Sequence, residues 1–268
     1  MRYITIMRTT PFACIIVALL GLVAPLAARA DIKIGIAAEP FPPFSMKDAS
    51  GKWTGFEIDL LNSVCGTMKE TCTPVEVAWD GIIPALDAHT IDVIWSSMAV
   101  TPARAEKVLF SDYYFRTALL LAGPRNGDSD VSPAHLAGKT IGVQASTVAA
   151  NYVEARYAPA GVAVKTYQTQ DEATLDLSAG RVDYTLASAA LLAGFLAGDE
   201  GKACCEFKAK ITDTGETDGA VAAALRKDDA TLAARINEAI ATLSRSGDFD
   251  RMAAKYPGLG TALIGPKN

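Results

Sequence analysis

Short apolar runs bounded by Gly, Pro and polar residues recur along most of the chain, and between them lie stretches whose apolar positions repeat every three to four residues. The first pattern is that of buried strands and the second that of helices packed by one face. Residues 32–37 predict a strand, and residues 56–68 a helix with Phe56, Leu60, Val64 and Met68 along one face. A strand over 75–79, a short helix over 82–86 and a strand over 91–95 follow. After Phe110 the series begins again, with strand 140–143, helix 146–157, strand 162–167, helix 172–177 and strand 182–186. Such alternation defines an α/β fold with parallel-rich sheets covered by helices on both faces.

The two series also echo each other. Segment 86–97 can be laid on segment 177–188, with Asp92 on Asp183 and Ser97 on Ser188. Each reads as a helix end, a turn, an Asp, an apolar strand and then small polar residues. The matched phase predicts two similar lobes whose strands end at one shared cleft, the place where open α/β sheets bind ligands.

Residues 1–30 stand outside this pattern. Arg2 and Arg8 precede an apolar run over 12–26, and Ala28-Arg29-Ala30 supplies the small residues of a signal-peptidase site. The run is shorter than the about 20 residues that a membrane span needs. It reads as a cleaved secretory signal, with the mature chain starting at Asp31. That segment holds three of the 25 Lys and Arg residues and none of the 30 Asp and Glu residues. The remainder has 22 bases against 30 acids, a formal charge of −8, which argues against nucleic-acid binding.

Four of the five cysteines lie after the signal. Cys65 falls late in the predicted helix over 56–68 and Cys72 just beyond it, a spacing that lets the chain fold back, and an exported chain meets an oxidising compartment. A Cys65–Cys72 disulfide is therefore expected. The adjacent Cys204 and Cys205 are compatible with a vicinal disulfide and with two reduced thiols. His89 and His135 are the chain's two histidines, and neither has a Cys or His at ligand spacing, so no metal site is expected.

Segment 95–104 carries the sharpest chemistry. A buried strand runs out into Ser96, Ser97, Met98 and Ala99, and a helix start follows with Thr101 as N-cap, Pro102 in the first turn and Arg104 just inside. A guanidinium fork matches a carboxylate bidentately, and a helix N-terminus adds oriented N–H donors, so together they suit a small carboxylate.

Gly55-Phe56-Glu57-Ile58-Asp59-Leu60 resembles the signature of the periplasmic solute-binding proteins for polar amino acids, the family-3 receptors of bacterial ABC importers. The resemblance continues, in order and at family spacing, through Phe41-Pro42-Pro43-Phe44, Trp79-Asp80-Gly81-Ile82-Ile83-Pro84, Ser96-Ser97-Met98, Phe110-Ser111-Asp112-Tyr113-Tyr114, Ile141-Gly142-Val143-Gln144-Ala145-Ser146-Thr147 and Ala179-Gly180-Arg181-Val182-Asp183. It covers nearly all of the chain after Ala30, and Cys65 and Cys72 match a disulfide of the lysine/arginine/ornithine and histidine receptors.

The resemblance implies an α/β type II periplasmic binding protein fold with two lobes, each a mostly parallel sheet flanked by helices, joined by two hinge crossings. After the signal peptide (1–30), lobe one would comprise 31–115 and 222–268, and lobe two 116–221. It further implies a periplasmic, monomeric receptor without a cofactor, which closes on a small carboxylate-bearing ligand and delivers it to an inner-membrane permease.

Site residues carry over one at a time. Phe41 and Trp79 match the aromatic walls that sandwich the ligand side chain, and Arg104 matches the partner of the ligand α-carboxylate. Met98 would lie beneath the ligand and contribute backbone, with Ser96 and Ser97 around the amine. Ser146 and Thr147 match the lobe-two helix start that reaches the same carboxylate. Ala99 replaces a frequent Ser but keeps its backbone N–H. Glu39 and Glu57 are candidates for receiving a cationic side chain, with a solvated surface acid as the alternative for Glu57.

Ser188 stands where the family commonly has an Asp that pairs with the ligand α-ammonium. A buried primary ammonium without a carboxylate loses several kcal/mol of solvation. Receptors for opines, amino acids alkylated at the amine by a second carboxylate-bearing group, are similar in having a neutral residue there. A modified amino-acid-like carboxylate, of opine type or another derivative of lysine, arginine or ornithine, is therefore expected over a standard amino acid. The same fold hosts cyclohexadienyl dehydratases, which need a positioned proton donor. The position most suited to one holds Ser188, so neither catalytic residues nor enzymatic activity is expected.

Overall fold

A computed structural model describes residues 31–211, 214–215, 219–256 and 259, together with Met1 and Tyr3. Apart from Met1 and Tyr3, the predicted signal segment lies outside the described residues, as does its Ala28-Arg29-Ala30 cleavage motif. Among the described residues no helix is long and apolar enough to cross a membrane.

The chain opens with strand β1 (Ile32–Ala37), a small ribbon of β2 (Met46–Lys47) and β3 (Trp53–Thr54), helix α1 (Phe56–Met68), β4 (Cys72–Val77), α2 (Ile82–Asp87), β5 (Val93–Ile94), α3 (Pro102–Ala105) and β6 (Leu109–Arg116). It continues with β7 (Leu119–Pro124), β8 (Thr140–Gln144), α4 (Val148–Arg156), β9 (Ala163–Tyr167), α5 (Gln170–Ser178), β10 (Tyr184–Ser188), α6 (Ala189–Ala197), α7 (Asp199–Cys204) and β11 (Cys205–Ile211). It ends with β12 (Ala220–Leu225), α8 (Ala230–Arg245) and α9 (Asp248–Ala253).

Two five-stranded sheets result, in the orders β4-β1-β5-β12-β6 and β11-β7-β10-β8-β9. Both are mixed but mostly parallel, with four strands running one way and one, β12 or β7, against them. In each, two pairings are parallel and two antiparallel, because the strands that arrive from the other sheet enter against the local direction. The chain leaves the first sheet through Thr117 and Ala118 and returns ahead of β12. The two crossings touch: the Thr117 amide donates to the Gly219 carbonyl at 2.9 Å. Gly219 has φ +85°, and a Cβ there would lie 2.1 Å from the Thr117 carbonyl oxygen, so the contact requires glycine.

Each sheet buries its own apolar core. α1 and α8 cover the first sheet, where Ile34, Ile36, Phe44, Phe56, Leu60, Trp95, Phe115, Ile236 and Ile240 pack together. In the second sheet Leu121, Ile141, Val143, Val153, Tyr184 and Leu186 form the equivalent centre. The Cys65–Cys72 disulfide joins the end of α1 to the start of β4, with Cα atoms 6.2 Å apart, and Cys204–Cys205 is the vicinal disulfide.

Several elements begin or end away from their predicted bounds, for local reasons. β5 and β10 each start two residues later than predicted. The preceding Asp is used as a cap: Asp92 accepts from the Lys33 amide at 3.0 Å, and Asp183 from the Thr140 amide at 2.8 Å. The echo between 86–97 and 177–188 is thus a shared hydrogen-bonding device. β4 lies earlier than predicted, since it pairs with all of β1 from Ile32↔Cys72 to Ala37↔Val77, and Trp79 enters a 3₁₀ turn instead. α4 starts at Val148 because Ser146 has φ +60° and Thr147 is the N-cap. α5 starts two residues earlier than predicted, behind the Thr169–Glu172 capping box.

Candidate functional site

The carboxyl ends of β1 and β5 from the first sheet and of β8 and β10 from the second face one cavity of about 120 Å³. The sequence supplies its lips through short turns. On the first side β5 runs out at Ser96 and Ser97. Ser97 has φ +50°, a left-handed conformation that a non-glycine residue adopts at a cost of about 1 kcal/mol.

Glu57 holds that turn. Its carboxylate accepts from the Ser97 amide at 2.7 Å, from the Ser97 hydroxyl at 2.8 Å, and through a short contact from the Tyr114 hydroxyl. Glu57 is 1 % exposed, and burial raises its carboxyl above the ordinary range even though these donors oppose the shift. Burial, the Glu57 charge and the hydrogen bond to it push the Tyr114 phenol well above its usual value. Tyr114 stacks on Trp95 at 4.5 Å, and the Trp95 indole donates to the Glu57 carbonyl. Glu57 is therefore neither a solvated surface acid nor part of the cavity wall. It is an internal anchor for the turn, and both sequence expectations for it are corrected.

The other predicted residues divide into wall and support. Glu39, Phe41, Trp79, Ser96, Ser97, Ala99, Arg104, Thr147 and Ser188 line the cavity. The Ser96 hydroxyl accepts from the Ala37 amide at 3.0 Å and so ties the ends of β1 and β5. Met98 lies beneath the wall, with its side chain packed against Ile82, Leu86, Ile91 and Val108, and its carbonyl accepts from Ala222. Phe41 stacks on Phe44 at 5.6 Å and packs against apolar clusters of both lobes. The Trp79 amide donates to both oxygens of Glu39 at 3.2 and 3.3 Å.

Arg104 enters from α3, where the Thr101 hydroxyl accepts its amide at 3.2 Å. Its guanidinium lies 5.4 Å from the Trp79 ring, donates to the Ala99 carbonyl at 2.9 Å and reaches across the cleft to the Ser146 carbonyl at 3.1 Å. The Trp79 indole donates to the same Ser146 carbonyl at 3.3 Å. Facing them is the start of α4. The Thr147 hydroxyl accepts from Ala150 at 3.1 Å, while the first-turn amides of Val148 and Ala149 have no acceptor within the helix, and both residues line the cavity. A guanidinium and a helix N-terminus thus converge from two lobes, the arrangement that holds a carboxylate.

Ser188 caps α6 without a side-chain cap bond, and its hydroxyl lies 3.4 Å from that of Thr117 in the crossing. Sequence reasoning missed Thr117, Gln144, Gln170 and Ile211, which also line the cavity. Gln144 does stand within the segment singled out around Ser146 and Thr147. The others carry no local mark, since the sheet pairings alone bring them to the cleft.

Two mixed α/β sheets that cross over twice and enclose a cleft between them define a two-lobed binding protein. The chain belongs to the bacterial extracellular solute-binding proteins, family 3, whose family model matches residues 32–259. It is 38% identical over 231 residues to the L-arginine-binding protein of Pseudomonas aeruginosa, covering 86% of this chain and 89% of the relative. It is 36% identical over 256 residues to the octopine-binding periplasmic protein of Rhizobium meliloti, covering 85% and 84%. A solved structure of an ancestral arginine-binding protein bound to arginine superposes with a TM-score of 0.77 at 29% identity, covering 85% of this chain and 99% of that one.

Proposed function

We propose that this chain is the periplasmic receptor of an ABC importer, a monomer that encloses arginine or an N-substituted, opine-type derivative of it between its lobes and presents it to the inner-membrane permease. The lobes hinge at Thr117-Ala118 and at the return ahead of β12. Ligand meets lobe one first, at Phe41, Trp79 and Arg104, and closure adds the start of α4 and Ser188.

The observation that carries this reading is the convergence of Arg104 and the α4 N-terminus, with Glu39 beside the aromatic wall. One cation and one anion on the wall suit a ligand with a carboxylate and a cationic side chain. Relatives named for arginine and octopine support the same ligand class. A receptor role rather than catalysis is favoured because Glu39 and Arg104 are the charged side chains on the wall among the described residues, and Glu39 already accepts the Trp79 amide. A thermal-shift screen of refolded protein against arginine, lysine, ornithine, histidine and octopine tests it, since a ligand that binds only the folded state raises the melting point. A rise with arginine or octopine, with no product formed, supports a receptor. Silence across the panel, or turnover of a bound acid, would sink this reading.

A further inference from the structure

Two glutamines of the second lobe line the cleft, and the groups around each decide which way its amide faces. Gln144, the last residue of β8, donates from Nε2 to the Gln168 carbonyl at 3.0 Å. A backbone carbonyl only accepts, so the nitrogen must lie on that side. Gln170, the first residue of α5, donates from Nε2 to the Thr185 hydroxyl at 2.8 Å. Thr185 uses its single proton on the Gly142 carbonyl at 2.8 Å and can only accept from Gln170. Gln144 is 8% exposed and Gln170 3%. Neither Oε1 atom has a hydrogen-bond partner among the described residues. Neither oxygen is among the buried side-chain atoms left without a partner, so each is reached by solvent and is available to a ligand in the cleft its residue lines.

The second lobe brings no charged side chain to the wall among the described residues, and Ser188 and Thr117 are neutral as well. We infer that Gln144 Oε1 and Gln170 Oε1 accept the N–H groups of the ligand's amine nitrogen, and that this pair matches a secondary amine. A secondary ammonium has two N–H donors and a primary ammonium three, so two oriented acceptors satisfy the former in full. Carbonyl oxygens carry partial charge only, so they compensate a buried primary ammonium less well than a carboxylate does. This assignment rests on the receptor reading above and names the groups that select its ligand.

Titration calorimetry of wild type, Gln144→Leu, Gln170→Leu and Gln170→Glu tests it with three probes: octopine, L-arginine and 5-guanidinopentanoic acid, the arginine skeleton without its amine. Each Leu variant is expected to weaken octopine about tenfold or more, and the amine-free acid less than about threefold. Gln170→Glu can accept from a rotated Thr185 hydroxyl, and is expected to strengthen L-arginine relative to the amine-free acid. Equal losses for octopine and the amine-free acid, or none, in variants that melt like wild type overturn the assignment. Where the Leu variants do not fold, an unchanged or lowered preference of Gln170→Glu for L-arginine overturns it. Wild type that binds none of the probes overturns the receptor reading for this ligand class together with the assignment, whereas wild type that binds while the glutamine variants match it overturns the assignment alone.

Discussion

The guanidinium of Arg104 and the backbone carbonyl of Ser146 meet across the cleft at 3.1 Å, and they belong to different lobes. The same guanidinium lies beside the α4 N-terminus, so Arg104 ties the lobes together and, in the receptor proposed above, is the partner of the ligand carboxylate. Arg104→Ala is expected to weaken ligand binding by about 2–5 kcal/mol, because the carboxylate keeps its desolvation cost while losing its partner. Titration calorimetry reads the loss directly. Affinity within a few-fold of wild type would move the carboxylate elsewhere.

Trp79 shares the Ser146 carbonyl and lies over Arg104. Trp79→Phe keeps an aromatic face but removes the indole N–H, and Trp79→Ala removes both. A graded loss is expected, a few-fold for Phe and about tenfold or more for Ala. Equal affinities for the two variants would mean that the ring does not contact ligand.

Ser188 faces Thr117 in the crossing and lines the cleft without a charge. Ser188→Asp is expected to improve arginine relative to octopine by about tenfold, since a primary ammonium gains a carboxylate partner. Parallel titrations with both ligands measure the ratio. A ratio that stays put would place the amine away from Ser188.

Glu57 links stability to pH. Burial raises its carboxyl above the ordinary 4.5, so over the window between those two values the folded state holds a proton that the unfolded chain has released. Stability therefore falls as pH rises through that window. Glu57→Gln cannot ionise and is expected to flatten this part of the profile while still pairing with Ser97 and Tyr114. Glu57→Ala leaves those donors unpaired and is expected to cost about 1–3 kcal/mol for each one. Urea midpoints across the acid range distinguish the variants, and a Gln variant with the wild-type slope would remove Glu57 as the cause.

The Cys65–Cys72 bridge closes a short loop, with a sequence separation of 7, and neither cysteine lines the cleft. Replacing both by Ala is expected to cost about 2–3 kcal/mol of stability, from the entropy returned to the unfolded chain, with affinity unchanged. Urea melts and calorimetry on the same variant check the two halves of this expectation.

How far the sequence alone reached can be judged from single residues. Thr101, Pro102 and Arg104 were legible because N-cap chemistry, a proline in the first turn and a guanidinium just inside act within one turn of chain. The same locality marks the alternation of β1, α1 and β4, and the Cys65–Cys72 pairing. Glu57 was misread because its surroundings come from afar. Tyr114 follows it by 57 residues and Ser97 by 40, and their arrival turns an acid near a helix start into the buried anchor of the cleft. Gln144 and Gln170 are placed by the pairing of β8 with β9 and β10, through Thr185 and Gln168, which no local pattern records.

The sequence by itself determined the alternation of elements, the family of the chain and the identity of nine of the residues on the wall, because periodicity, capping and motif spacing are properties of neighbouring residues. Only the tertiary structure decided which polar groups are consumed inside the protein and which still face the cleft. That difference depends on desolvation and on donors and acceptors contributed by segments distant in sequence, and these meet only once both sheets have formed.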